Sequence, residues 1–199
     1  ELATPDCPRL VVGTVDVNAG EFETFTEDNM SAKAILASAA VPSLFEAVEI
    51  DGHYHWDGLF SQNPPVYDLM HTDPERKPDE LWVVQINPQT REDEPKTVDE
   101  ITDRRNELSG NISLNQELRF IETVNGWIDE GDLSTEQYNH TEIRRIVLDE
   151  RLGYSSKLDR SVEFIERLRE EGIADAERFL EDVDPGEHQH DAQTSTSHD

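Results

Sequence analysis

The chain is poor in cysteine, lysine and long apolar runs. A single thiol, Cys7, in 199 residues excludes an internal disulfide and a thiolate zinc cluster. No stretch approaches the roughly 20 apolar residues needed to cross a bilayer. The first residues lack the basic-then-apolar order of a secretory signal. The sequence therefore predicts a cytoplasmic protein with no transmembrane segment. Positive charge is scarce as well: 17 basic residues stand against 45 acidic ones, a formal net charge of −28. Only four of the basic residues are lysine. Nucleic-acid phosphates would repel such a chain, and an anionic membrane surface is equally unattractive at low salt. The acids are dispersed, which fits a salt-rich cytoplasm and a halophilic archaeon as source. At ~1 M salt the Debye length falls to ~3 Å, so dispersed like charges cost little there. At low salt they repel and weaken the fold.

The length fits one domain with room for a sizeable core. Residues 10–17 read as a β-branched, apolar strand, Gly20 as a turn, and 21–25 as an alternating return strand. Residues 31–40 are rich in alanine and predict a short, closely packed helix. Residues 47–50 and 53–56 predict a hairpin across Asp51-Gly52, a favoured two-residue turn. A helix start follows at Pro65, then a polar surface loop over 71–79. Residues 81–86 form a continuous apolar run, the pattern of a strand buried on both faces. Thr97 and Glu100 have capping-box spacing at the start of a long helix. Its expected apolar stripe is Ile101, Leu108, Ile112, Leu118, Ile121, Val124 and Ile128, with Gly110 as an interruption. A strand over 142–148, a helix ended by Gly172 and a last helix over 173–183 complete the reading. From residue 184 on, the polar composition predicts a disordered tail, 184–199. Strands alternating with helices argue for a layered α/β domain with a mainly parallel sheet.

Two adjoining segments carry the chemistry. SAKAILASAAVPSLF (31–45) closes a small-residue stretch on a proline, and VEIDGHYHWDGLFSQNPPV (48–66) delivers Asp57 to an Asp-Gly corner followed by Asn63-Pro64-Pro65. An Asp-Gly turn alone is common. In this order, with the strand pair and both flanks, it resembles the catalytic-aspartate region of the patatin-like lipid acyl hydrolases. The likeness continues into RRNELSGNISLNQEL (104–118), SSKLDR (155–160) and LREEG (168–172), and so spans roughly residues 10–183. It implies the later, C-terminal part (1–183) of a three-layer α/β/α patatin-like sandwich. It also implies hydrolysis of a lipid or other ester, phospholipase A-like or carboxylesterase-like, by a Ser-Asp dyad without cofactor or metal. Asp57 matches the dyad aspartate, the general base that takes the serine proton. Gly58 shapes its corner without a side chain to crowd the carboxylate. Leu59 departs from the family's usual Gly or Ala at the next position, and leucine tolerates positive φ poorly.

The nucleophile has no counterpart. No serine here has glycine two residues before and two after it, the Gly-x-Ser-x-Gly elbow of serine hydrolases. Nor is there a glycine-rich segment to supply oxyanion donors. In the family both lie upstream of the matched region. They are therefore expected N-terminal to Glu1, in a segment removed, separately encoded or lost. Ser38 sits in the small-residue stretch and reads as close packing. Asn111 and Asn115, one helical turn apart, fit a cleft lining or bonds to nearby loops. A sheet lacking its first strand and nucleophile helix would leave an uncovered side, so self-association is expected.

Two other readings compete. One is a catalytically inactive remnant acting as a lipid-binding or scaffold protein. The other is a metal-dependent hydrolase built on His53-x-His55-x-Asp57, three residues on one strand face. Only His71 and His140 lie elsewhere in the expected folded region. No recognisable spacing completes a ligand set, and solvent-facing hairpin histidines are the simpler reading.

Overall fold

The computed structural model describes residues 8–42, 44–60, 62–71, 77–148, 152, 156 and 159–183, with the Phe60 side chain left out. Cys7, residues 72–76 of the expected surface loop and the expected disordered tail lie outside the described residues. The chain divides into two compact units. One takes residues up to 81 together with 89–143; the other takes 82–88 together with the residues from 144 on.

In the first unit, β1 (Val12–Asp16) and β2 (Glu21–Phe25) form a hairpin with Val12 opposite Phe25 and Asp16 opposite Glu21. The Asp16 carboxylate fixes the turn by accepting from the amides of Asn18 and Ala19 at 2.8 and 2.9 Å. A second hairpin joins β3 (Val48–Ile50) to β4 (His53–Asp57). Its turn has two successive positive φ values, 50° at Asp51 and 88° at Gly52, the twist that suits a two-residue connection. β1 also pairs antiparallel with β4, placing Thr14 opposite Asp57. The sheet order is β2-β1-β4-β3.

All three pairings in this sheet are antiparallel, where a mainly parallel sheet was expected. The four-residue turn over 17–20 and the two-residue turn at Asp51-Gly52 each connect neighbouring strands, and connections this short can only reverse direction. A parallel pair occurs between β5 (Glu80–Gln85) and β6 (Glu142–Val147). The mixed α/β composition stands.

Helix α1 (Ala32–Ser38) is capped by Ser31, whose hydroxyl accepts from the Ala34 amide at 3.1 Å. Its small side chains let it approach the sheet closely. Ala34 and Ala37 form a buried cluster with Phe25 and Ile50, edged by Val12, Met30 and Val48.

A short helix α2 (Val66–Met70) precedes the long helix α3 (Val98–Asp129). The expected capping box is present: Glu100 N donates to Thr97 Oγ1 at 3.2 Å and Thr97 N to Glu100 Oε2 at 3.0 Å. The stripe differs from expectation. Leu118, Ile121 and Ile128 are buried, but Ile101, Leu108 and Ile112 are exposed. In that half the buried face is Asp103, Asn106, Glu107, Gly110, Asn111 and Leu114. Gly110 does not interrupt the helix. It lets the helix approach Asn63, whose Nδ2 would lie 2.9 Å from an added Cβ.

In the second unit, β5 alternates rather than being buried on both faces. Val83 and Gln85 are inside, while Val84 is 70% and Ile86 63% exposed. Helix α4 runs unbroken from Val162 to Val183, through Gly172, where two helices were expected. Its Phe179 meets Trp82 edge to face at 4.9 Å between ring centroids.

Candidate active-site corner

Asp57 is the last residue of β4, and the chain turns there into a 3₁₀ turn, Gly58–Phe60. Three contacts hold the corner. The Asp57 amide donates to Ala40 O at 3.1 Å, tying the strand end to the segment after α1. The Leu59 amide donates to Asp57 Oδ1 at 2.9 Å, an Asx-type bond that fixes the carboxylate and starts the turn. The Gln62 amide donates to Gly58 O at 3.1 Å and closes it.

Gly58 is where the corner tolerates no side chain. A Cβ there would lie 3.2 Å from the carbonyl carbon and oxygen of Gly13 and 3.2 Å from a Phe22 ring carbon. Leu59 does not take the left-handed conformation its place in the motif suggested. Among the described residues Asp51 is the non-glycine with positive φ, and Leu59 is buried inside the 3₁₀ turn.

Asp57 is half-buried. Burial pushes its carboxyl pKa up, and the Leu59 N–H pulls it partly back. A carboxylate raised toward working pH is a stronger proton acceptor than an ordinary surface aspartate. Oδ1 is engaged by Leu59, and the carboxylate keeps a second oxygen for a proton donor.

The other candidates are spent on structure. Ser38 donates its hydroxyl to Ile35 O at 2.9 Å on its own helix. Asn115 donates to Gln89 Oε1 at 3.0 Å, a loop bond, and Asn111 is part of the buried polar face of α3. The histidines take separate partners. His53 stays largely exposed and meets Asp16 Oδ2 at 2.8 Å through Nδ1. His55 is 1% exposed, contrary to a solvent-facing reading. Its Nδ1 lies 3.1 Å from Thr14 Oγ1, its Nε2 3.6 Å from Glu23 Oε2, and Phe25 packs against it edge to face. Among the described residues no group of three acidic, histidine or cysteine side chains is arranged to hold a metal.

Residues 8–70 match the family model for patatin-like phospholipase. The patatin-like match covers both hairpins, α1, the Asp57 corner and α2, and ends at Met70. The likeness suggested by residues 104–118 and 155–172 falls outside it. No curated protein matches the chain. No helix among the described residues is long and apolar enough to cross a membrane.

Sequence reading missed a buried ionic cluster on α3. Arg91 bonds Glu107 through Nε at 2.9 Å and through a second nitrogen at 2.5 Å, and Asp103 at 2.5 Å. Arg104 adds a 3.1 Å contact to Glu107. Asp103 and Glu107 are 1% and 2% exposed. The visible signal was two acids four apart on one helix face. Their partner Arg91 lies in the preceding loop, at no diagnostic spacing.

Proposed function

We propose that this chain is the aspartate-bearing part of a patatin-like lipid acyl hydrolase, of phospholipase A or carboxylesterase type. Asp57 is the base of its Ser-Asp dyad. The observation that carries the reading is the Asp57 corner inside the family match: a half-buried carboxylate held at one oxygen by Leu59 N–H, with glycine required beside it.

The serine comes from a Gly-x-Ser-x-Gly segment and the oxyanion donors from a glycine-rich segment, both outside these 199 residues, which hold neither. In the first half-reaction Asp57 takes the serine hydroxyl proton as the oxygen attacks the ester carbonyl. The C–O bond to the leaving alcohol then breaks, and the alcohol leaves with that proton. In the second half-reaction Asp57 takes a proton from water, the hydroxide attacks the acyl-serine, and the serine recovers its proton as the acid departs. No metal takes part. The acidic surface, with 45 acidic residues against 17 basic, supports a salt-rich cytoplasm as its setting. The exposed Val84 and Ile86 support self-association of the isolated chain.

The test is ester hydrolysis at molar salt by the chain joined to its nucleophile segment. Asp57→Asn is expected to lower kcat by about 10²–10⁴-fold, with no effect of a chelator. The absent serine motif also favours a second reading, a lipid-binding remnant without catalysis. Lipid binding with no hydrolysis in the joined protein would select it. Activity that survives Asp57→Asn but is lost to a chelator would select the metal reading.

A further inference from the structure

β1 and β4 meet on a polar face. Period two puts Thr14 and Asp16 of β1 on the same side as His53, His55 and Asp57 of β4. Thr14 stands directly opposite Asp57, and directly opposed residues hold their Cβ atoms about 5 Å apart. A threonine hydroxyl at that separation is within reach of the carboxylate. Among the described residues its partners are elsewhere. Thr14 Oγ1 lies 3.1 Å from His55 Nδ1 and 3.4 Å from Glu23 O, and the donor to Asp57 is the Leu59 amide.

The His55 ring decides where the Thr14 proton goes. His55 and Thr14 are 1% and 0% exposed, so bulk water does not compete for their bond. On the other side of the ring, Nε2 faces Glu23 Oε2 at 3.6 Å. Two lone pairs facing each other there would repel, so Nε2 carries the hydrogen. Nδ1 of the neutral ring is then an acceptor, and the Thr14 hydroxyl donates to it. The other groups against the ring bring no donor to Asp57. Phe25 of β2 meets it edge to face, and Val48 of β3 lies opposite it. Asp16, opposite it on β1, is engaged by the Asn18 and Ala19 amides and by His53.

We infer that His55 is a positioning residue for Asp57: by accepting the Thr14 hydroxyl it keeps that donor off the neighbouring carboxylate, whose second oxygen stays open to take a proton. A hydroxyl turned onto the carboxylate would favour its charged form and weaken it as a base. The inference rests on the acyl-hydrolase reading for one consequence only, that the proton affinity preserved in this way serves catalysis.

The test is NMR of the isotopically labelled full chain in molar KCl. In the parent, the His55 nitrogen shifts are expected to show hydrogen on Nε2 and none on Nδ1; the opposite tautomer would overturn the inference without any variant. The Asp57 carboxyl carbon is then followed through a pH titration. His55→Leu frees the Thr14 hydroxyl, and the acid strength of Asp57 is expected to rise about tenfold or more, the worth of one hydrogen bond to a charged group. His55→Asn, whose amide oxygen can fall where Nδ1 stands, is expected to keep the parental titration. The double variant His55→Leu with Thr14→Val is expected to return to it. An unchanged titration in His55→Leu would overturn the inference, the hydroxyl having turned to Glu23 O instead. So would a change that persists in the double variant, which would mean that the site has merely opened to water. Hydrolysis is not part of this readout. The expected titrations together with hydrolysis indifferent to Asp57→Asn would sink the dyad alone; the reverse would sink the role of His55 alone.

Discussion

Gly58 and Gly13 meet backbone to backbone, so that a Cβ at Gly58 would lie 3.2 Å from the Gly13 carbonyl. The Asp57 corner therefore rests on a contact between the first strand and the 3₁₀ turn that leaves the fourth, with no room for a side chain at Gly58. Gly58→Ala is expected to destabilise the fold by about 1–3 kcal/mol, the usual cost of overpacking. It should also impair hydrolysis in the joined protein beyond what the loss of folded fraction explains. Chemical denaturation and initial rates on the same samples check both.

Asp57 itself should weaken the fold at neutral pH. Burial raises its native pKa, so the folded chain holds this proton more tightly than the unfolded chain does. The stability it contributes is present below the ordinary aspartate range, near pH ~3.9, and is lost as pH rises through the raised native value. Asp57→Asn is expected to raise the melting temperature at pH 7 and to abolish that part of the pH dependence. A lower melting temperature for the variant at pH 7 would contradict the burial argument.

Asp16 has the opposite sign. The Ala19 amide, then His53, hold its carboxyl below the usual range. Its stabilising effect is present above pH ~3.9 and is lost as pH falls through the depressed native value. Asp16→Asn is expected to flatten the acid limb of the stability curve and to loosen the β1–β2 turn, whose two amide bonds it carries. Melting curves between pH 2 and 6, with hydrogen exchange at Asn18 and Ala19, measure this.

The Arg91 cluster predicts a larger loss. Arg91→Met removes the guanidinium that bridges buried Asp103 and Glu107, while the Arg104 contact to Glu107 stays. Removing one member of a buried ion pair costs about 3–5 kcal/mol. Denaturant unfolding of the variant against the parent gives the difference. The triple replacement of Arg91, Asp103 and Glu107 by apolar residues should recover most of it.

With 45 acidic residues against 17 basic, the melting temperature should climb steeply from low to molar KCl, as screening removes self-repulsion. A salt-independent melt would contradict the reading of the acidic surface.

Local features were the legible ones. Asp51-Gly52 between alternating segments gave the β3–β4 hairpin, Thr97 with Glu100 gave the start of α3, and the alanine-rich stretch gave α1, because each signal lies within a few residues. What needed distant partners was not legible. Asp103 and Glu107 look like solvent acids until Arg91 folds back across 12 and 16 positions. His55 looks like a hairpin surface residue until Phe25 of another strand covers it. Val84 and Ile86 look buried by composition, but the described residues cover only one face of β5. Gly172 reads as a stop, yet neighbours with good helix propensity carry α4 through it. The aspartate of the candidate site was legible from its motif. The contact of α2 with α3 was not, because the bond joining them, Tyr67 to Glu117, spans 50 positions.

The most direct measurement is labelling of the native protein from its source cells, at molar salt, with a serine-directed fluorophosphonate, followed by peptide mapping. A single labelled serine is expected, in a Gly-x-Ser-x-Gly peptide outside the present 199 residues. Asp57→Asn should slow its labelling by about 10²–10⁴-fold, the worth of a positioned general base. No labelled serine, or labelling at an unchanged rate in Asp57→Asn, would contradict the assignment of Asp57 as the base of a Ser-Asp acyl hydrolase.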